Sequence, residues 1–124
     1  MKEKFITVLK VEPYKPPEVV TLENELSSLQ AAVDGLIEFL PLDIENNIEI
    51  LCNEEGKLIG LEPNRKVGSD IIVGVFYVLK TNLEGECCSL NQEEIEKYTE
   101  RFKDTEYYTT EDVIESMNFG FSIF

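Results

Sequence analysis

Apolar and polar positions alternate along this chain in two distinct periods. Phe5 to Val11 is apolar and β-branched, broken only by Thr7 and Lys10, which predicts a strand with at least one buried face. In Pro13-Tyr14-Lys15-Pro16-Pro17 the prolines lack the N–H that a ladder needs, which predicts a loop. Glu18 to Leu22 then predicts a second strand, in a hairpin with the first. The period changes at Leu26, Leu29 and Val33, which share one helical face at i, i+3 and i+7. The expected helix runs from Glu25 to Asp34, with Asn24 as its N-cap and Gly35 as its C-cap. Leu36 to Leu40 predicts a strand in which Glu38 is out of place among apolar neighbours, and Pro41 to Asn47 a connection.

Asn47 to Leu79 is the stretch on which the rest is organised. Ile48 to Asn53 predicts a strand and Ile71 to Leu79 the longest, most apolar one, which belongs at the centre of a sheet. Gly74 inside it marks a bulge or a close approach by another group. Between the two, Asn53 to Lys57 predicts a hairpin loop with Gly56 at positive φ and Leu58 to Leu61 returning, then a longer loop from Pro63 to Asp70. After Lys80 the chain turns acidic. Asn91 with Glu94 forms a capping-box pattern, and Ile95, Tyr98 and Phe102 form a stripe, predicting a helix from Gln92 to Lys103. Thr109 or Thr110 is placed to cap a short last helix with Val113, Ile114 and Met117 inward. The end, Phe119 to Phe124, is apolar enough to dock on the body as an edge strand or extended arm, or to meet a partner.

These elements predict an α+β fold. It has a mainly antiparallel sheet of five to six strands, one packed helix and a C-terminal helical segment, in a single domain spanning 1–124.

Composition narrows the chemistry. The 124 residues are 43% hydrophobic and 29% charged, which suits an ordered domain. No apolar run approaches the roughly 20 residues of a membrane helix. The N-terminus carries no signal-peptide pattern, so a cytoplasmic location is expected and no membrane partner. Net charge is −14, from 11 basic and 25 acidic residues, the wrong sign for direct nucleic-acid binding. Such acidity solvates a surface, steers basic partners, or imitates a row of phosphates. Cys52, Cys87 and Cys88 make an odd count, expected as reduced thiols with Cys52 in the core. With no histidine, the commonest general base is absent and a zinc site would need cysteine and carboxylate alone. No phosphate loop, nucleophile elbow or His-based dyad occurs, so no enzyme, catalytic residue, cofactor or metal is expected.

The polar insert between the two central strands holds the candidate ligand-binding residues Asn53, Lys57, Asn64, Arg65 and Asp70. Arg65 offers a planar donor fork for phosphate or carboxylate, Lys57 a mobile charge, and the asparagines paired donors and acceptors for a base or ribose. The competing reading pairs Arg65 with Asp70 or Glu38 and leaves the asparagines to cap turns.

Several pieces together resemble the domain-of-unknown-function family 3846. They are Gln30 with Gly35-x-Ile37-Glu38, Cys52-Asn53-Glu54-Glu55-Gly56-Lys57-Leu58, Pro63-Asn64-Arg65, and Asp70-Ile71-Ile72-x-Gly74-x-Phe76. Val11-Glu12-Pro13 and Pro17-Glu18-Val19 are similar too, so the family-like core spans about 5–103 and 104–124 is an extension. The resemblance implies a small accessory protein of bacteriophages and conjugative elements, acting in the host cytoplasm, with no enzymatic activity to carry over. Joined to Arg65 and Lys57, that setting gives the expectation of a counter-defence protein that sequesters a small anionic nucleotide signal. The alternative is an acidic interaction module or nucleic-acid mimic that inhibits a host protein. A sheet edge or the Phe-rich end offers a route to homo-oligomers.

Overall fold

The computed structural model describes residues 2–118. Its strands are β1 (Phe5–Val11), β2 (Glu18–Glu23), β3 (Ile37–Asp43), β4 (Ile48–Asn53), β5 (Pro63–Val67), β6 (Asp70–Val73), β7 (Phe76–Thr81) and β8 (Cys87–Cys88). The helices are α1 (Leu26–Val33), α2 (Gln92–Phe102) and α3 (Thr110–Asn118). The main sheet is antiparallel and six-stranded, in the order β2-β1-β7-β4-β3. Strand β8 takes up the end of β7 beyond its pairing with β1. Strands β5 and β6 form a separate hairpin. The fold is α+β, as the sequence predicts.

Burial on both faces explains the apolar runs. Leu9 and Val11 of β1, Ile48, Ile50 and Cys52 of β4, and Phe76 and Val78 of β7 point to one face. There they meet Ile72 of the hairpin and Tyr98 and Phe102 of α2. Ile6, Val8, Leu51, Tyr77 and Leu79, the alternate positions, meet Leu29 and Val33 of α1 on the other. α3 lies on the hairpin, packing Val113 and Met117 against Ile71 and Val73.

Four expectations change. The apolar run 71–79 is two strands: Gly74 has φ 74°, and a Cβ there would stand 2.7 Å from Leu61 Cδ1. Only glycine allows both that conformation and that approach, so the close-approach reading of Gly74 holds and the continuous strand does not. The expected loop 63–70 is mostly the β5–β6 hairpin, turned at Gly68 (φ 62°) in the first of two loop positions, where a II′ turn takes glycine. The expected return strand 58–61 is a coil of turns, with Ile59 N–H bonded to Glu55 O and Leu61 N–H to Gly56 O. Positive φ falls on Gly60 rather than Gly56, and Leu58 and Ile59 are exposed. Finally, β3 runs on through Pro41 to Asp43, which an edge strand tolerates because an edge has N–H groups without ladder partners.

The helix ends are adjusted in the same way. Leu26 is 59% exposed, so of the predicted stripe only Leu29 and Val33 are buried, with Ala32 packed beside them. Asn24 is buried and does not cap α1; its Nδ2 donates to the carbonyls of Glu3 and Cys87. Asp34, not Gly35, takes the left-handed C-terminal position, at φ 58°. α2 has the predicted Asn91–Glu94 capping box. Thr109 Oγ1 accepts from Asp112 N–H at the start of α3, but Ile114 faces solvent. The expectation for Phe119 to Phe124 lies outside the described residues.

Candidate functional site

The five candidate residues separate into two places. Asn64 and Arg65 leave β5 for the interior, both 0% exposed. Asn64 Nδ2 donates to the carbonyls of Val11 (2.9 Å) and Gly74 (2.8 Å), tying β1 to the break between β6 and β7. Its Oδ1 accepts from Arg65 Nη1 at 2.8 Å. Arg65 Nε and Nη2 both reach Phe102 O, at 3.2 and 2.7 Å, so the cation sits on the carbonyl end of α2. Nη1 also reaches Glu12 O at 3.3 Å and Nη2 reaches Lys15 O at 2.8 Å. All five N–H groups of the guanidinium are thus engaged within the fold. Neither Asp70 nor Glu38 is its partner, and no guanidinium donor is left for phosphate. Burial pushes its pKa down while Glu106 and Asp104 oppose that shift.

Asn53, Lys57 and Asp70 do come together, on a pocket of about 310 Å³. Glu38 and Leu40 of β3, Cys52 of β4, Ile72 and Val73 of β6, and Met117 of α3 also line it. Asn53 is an organiser rather than a free donor. Its Nδ2 donates to the carbonyls of Val33 (3.1 Å) and Asp34 (3.2 Å), and its Oδ1 accepts from Glu55 N–H at 2.8 Å. This fixes α1 to the start of the turn that carries Glu54 and Lys57. Gly35 is needed here for space, since a Cβ would lie 2.6 Å from Asn53 Nδ2. Lys57 Nζ is ion-paired with Asp70, and both line the pocket.

The electrostatics of this pocket are acidic. Burial, then the fields of Glu54 and Asp70, push the Glu38 carboxyl pKa up, with Lys57 opposing. Cys52 Sγ lies 4.0 Å from Glu38 Oε1. Burial, then the carboxylates of Glu38 and Asp70, push its thiol up to about 12, so it is a protonated core thiol at neutral pH. Among the described residues, the one cation lining the pocket, Lys57, faces the carboxylates of Glu38, Glu54 and Asp70.

Sequence reasoning notices Glu38 without counting it among the ligand residues; a lone acid in an apolar edge strand is the signal. Leu40, Ile72 and Val73 read as core, and Met117 reads as an inward residue of the last helix with no link to a pocket. Tyr14 is also missed. It sits at φ 66° with its ring stacked on Tyr107 at 5.2 Å and its hydroxyl donating to Glu62 at 2.8 Å. The hydrogen bond and the field of Glu62 raise its pKa.

Taken together, fold and pocket define a small α+β domain with a mixed polar and apolar cavity beside a sheet edge. The sequence pattern of the family described as "Domain of unknown function (DUF3846)" matches residues 6–103, and the chain belongs to that family. α3, and with it Met117, falls beyond the match. No curated protein matches the chain, and no solved structure does. Among the described residues no helix is long and apolar enough to cross a membrane.

Proposed function

We propose that this chain is a binding protein without turnover, and that the pocket between β3, β4, β6 and α3 is its ligand site. The observation that carries this reading is the meeting of Asn53, Lys57 and Asp70 with Glu38 on one cavity. Its volume lies at the lower end of the range for small-molecule sites, and apolar walls with a few convergent polar groups are their usual make-up. Absence of turnover is supported by Cys52, whose thiol is held protonated, and by Lys57, whose ammonium is held on Asp70. The narrower version is a phage-type accessory protein that acts in the host cytoplasm and sequesters a small nucleotide signal in counter-defence. Lys57 is the group on this pocket that would meet the phosphate; Arg65 is committed elsewhere. Calorimetry with the whole chain against cyclic and ADP-ribose-type nucleotides tests this version. A saturable heat with one of them, lost in Lys57→Ala, is what this version requires. No heat at high protein concentration removes the nucleotide.

A second reading is favoured by α2. Glu93, Glu96 and Glu100 are exposed and stand at i, i+3 and i+7 on the face opposite Tyr98 and Phe102. At about 1.5 Å rise per residue they space three carboxylates roughly 4.5 and 6 Å apart along the axis. That is a short row of negative charge suited to a basic protein surface, as in an acidic module that inhibits a host protein. Lys103, bonded to Glu100 at 2.8 Å, dilutes it. Pull-down from host lysate at low and high salt, repeated with Glu93→Lys and Glu96→Lys together, tests it. A partner that is retained by the double variant, or whose capture ignores salt, rejects the charge-row reading.

A further inference from the structure

The walls of the same pocket favour a different class of ligand from the nucleotide, provided that the cavity binds a small molecule as proposed above. Its floor is hydrocarbon: Leu40 from the sheet edge and Ile72 and Val73 from the hairpin, with Met117 closing one side. Its polar side holds the carboxylates of Glu38, Glu54 and Asp70. Lys57 already shows what that side accepts, since its ammonium is seated on Asp70. Glu38 has no cation of its own among the described residues. It meets only the weak thiol donor of Cys52, at 4.0 Å. A second cation would therefore find a carboxylate without a charged partner beside an apolar surface, in a chain of net charge −14. A free phosphate or carboxylate would instead meet like charge on most of the polar side, and the cation there is already engaged.

We infer that the pocket takes a small organic cation, an ammonium or amidinium on a flat apolar body, with its charge on Glu38 and its body against Leu40, Ile72 and Val73. Burial, then the fields of Glu54 and Asp70, push the Glu38 carboxyl up, and a cation placed there opposes that shift. Affinity should then fall as pH drops and Glu38 takes up a proton. The other charged groups that face the pocket are Glu54, Asp70 and Lys57. Cys52 keeps its proton throughout the acid range.

The test is amide-resolved NMR titration of the whole chain with benzamidine, with its near-isosteric anion benzoate, and with inorganic phosphate. The expected result is saturable shifts with benzamidine at Leu40, Ile72 and Val73, weakened roughly tenfold in Glu38→Gln. That variant keeps size and shape at an exposed edge position, and its amide spectrum reports whether the fold persists. Benzoate or phosphate shifting the same residues in preference to benzamidine overturns the cation while leaving the ligand site standing. Silence of these residues to all three probes overturns both. Benzamidine binding that is unchanged in a folded Glu38→Gln protein overturns the role of Glu38 and with it the proposal.

Discussion

Arg65 donates from every N–H it has, and four of its five bonds end on main-chain carbonyls. That arrangement depends on a planar fork. Lysine at this position keeps the charge but cannot reach Phe102 O, Glu12 O, Lys15 O and Asn64 Oδ1 together. Arg65→Lys should therefore destabilise the protein, and Arg65→Ala should do so by about 3–5 kcal/mol, because buried acceptors are left without donors. Urea unfolding measures both, and a loss below about 1 kcal/mol in the alanine variant would show that water replaces the fork. Glu38 gives the opposite sign. Its folded pKa is raised, so ionisation opposes folding: the cost is absent below the unfolded glutamate pKa of about 4.3 and grows as pH rises through the folded value. Glu38→Gln should then be more stable than the parent at neutral pH, with the gain shrinking toward pH 4. Thermal melts across that window check it, and a gain independent of pH would point to packing rather than charge.

At the level of elements, legibility followed from whether the cause of a structure was local. β1, β4 and the capped start of α2 fall where period and capping residues place them. The break at Gly74 was not legible as a break, because residues on both sides of it are equally apolar and what marks it is a φ of 74° and the Leu61 side chain standing where a Cβ would be. Strand β5 was hidden for the converse reason. Asn64 and Arg65 look like loop residues, yet their burial is satisfied by carbonyls of Val11, Glu12 and Phe102, far away in the chain. The same distance effect split the candidate site: Asn53, Lys57 and Asp70 share a pocket, while Arg65 joins the helix end behind it. α1 shows how a stripe can be right in period and too wide in extent. Leu29 is 5% exposed and Leu26 is 59% exposed. Leu29→Ala should cost on the order of 2–5 kcal/mol and Leu26→Ala little, since only the first leaves a cavity. Chemical denaturation of the two variants decides it; equal losses would mean that α1 sits rotated from its described position.

For the molecule as a whole, the dominant fact is a charge of −14 carried on a small domain. Several of the ion pairs that relieve it have at least one exposed partner: Lys15 with Glu12, Lys97 with Asp43, Lys103 with Glu100. Pairs of that kind contribute about 0–1 kcal/mol each and are screened by salt. Among the described residues, acids without a cation outnumber them, along α2, in α3 at Glu111, Asp112 and Glu115, and around Glu84 and Glu86. Long-range repulsion among these should exceed the local attractions, and it too is screened. Raising salt from about 0.01 M to about 1 M shortens the screening length from roughly 30 Å to 3 Å, across most of the domain's width. The melting temperature should therefore rise with added sodium chloride, steeply at first and then level off once neighbouring charges are screened from each other. The same titration with Lys57→Met removes a cation from the acidic pocket. It should start lower at low salt and converge on the parent at high salt, if charge is what Lys57 supplies to the folded state. A melting temperature that falls with salt would show instead that the ion pairs, few as they are, govern this protein's electrostatics.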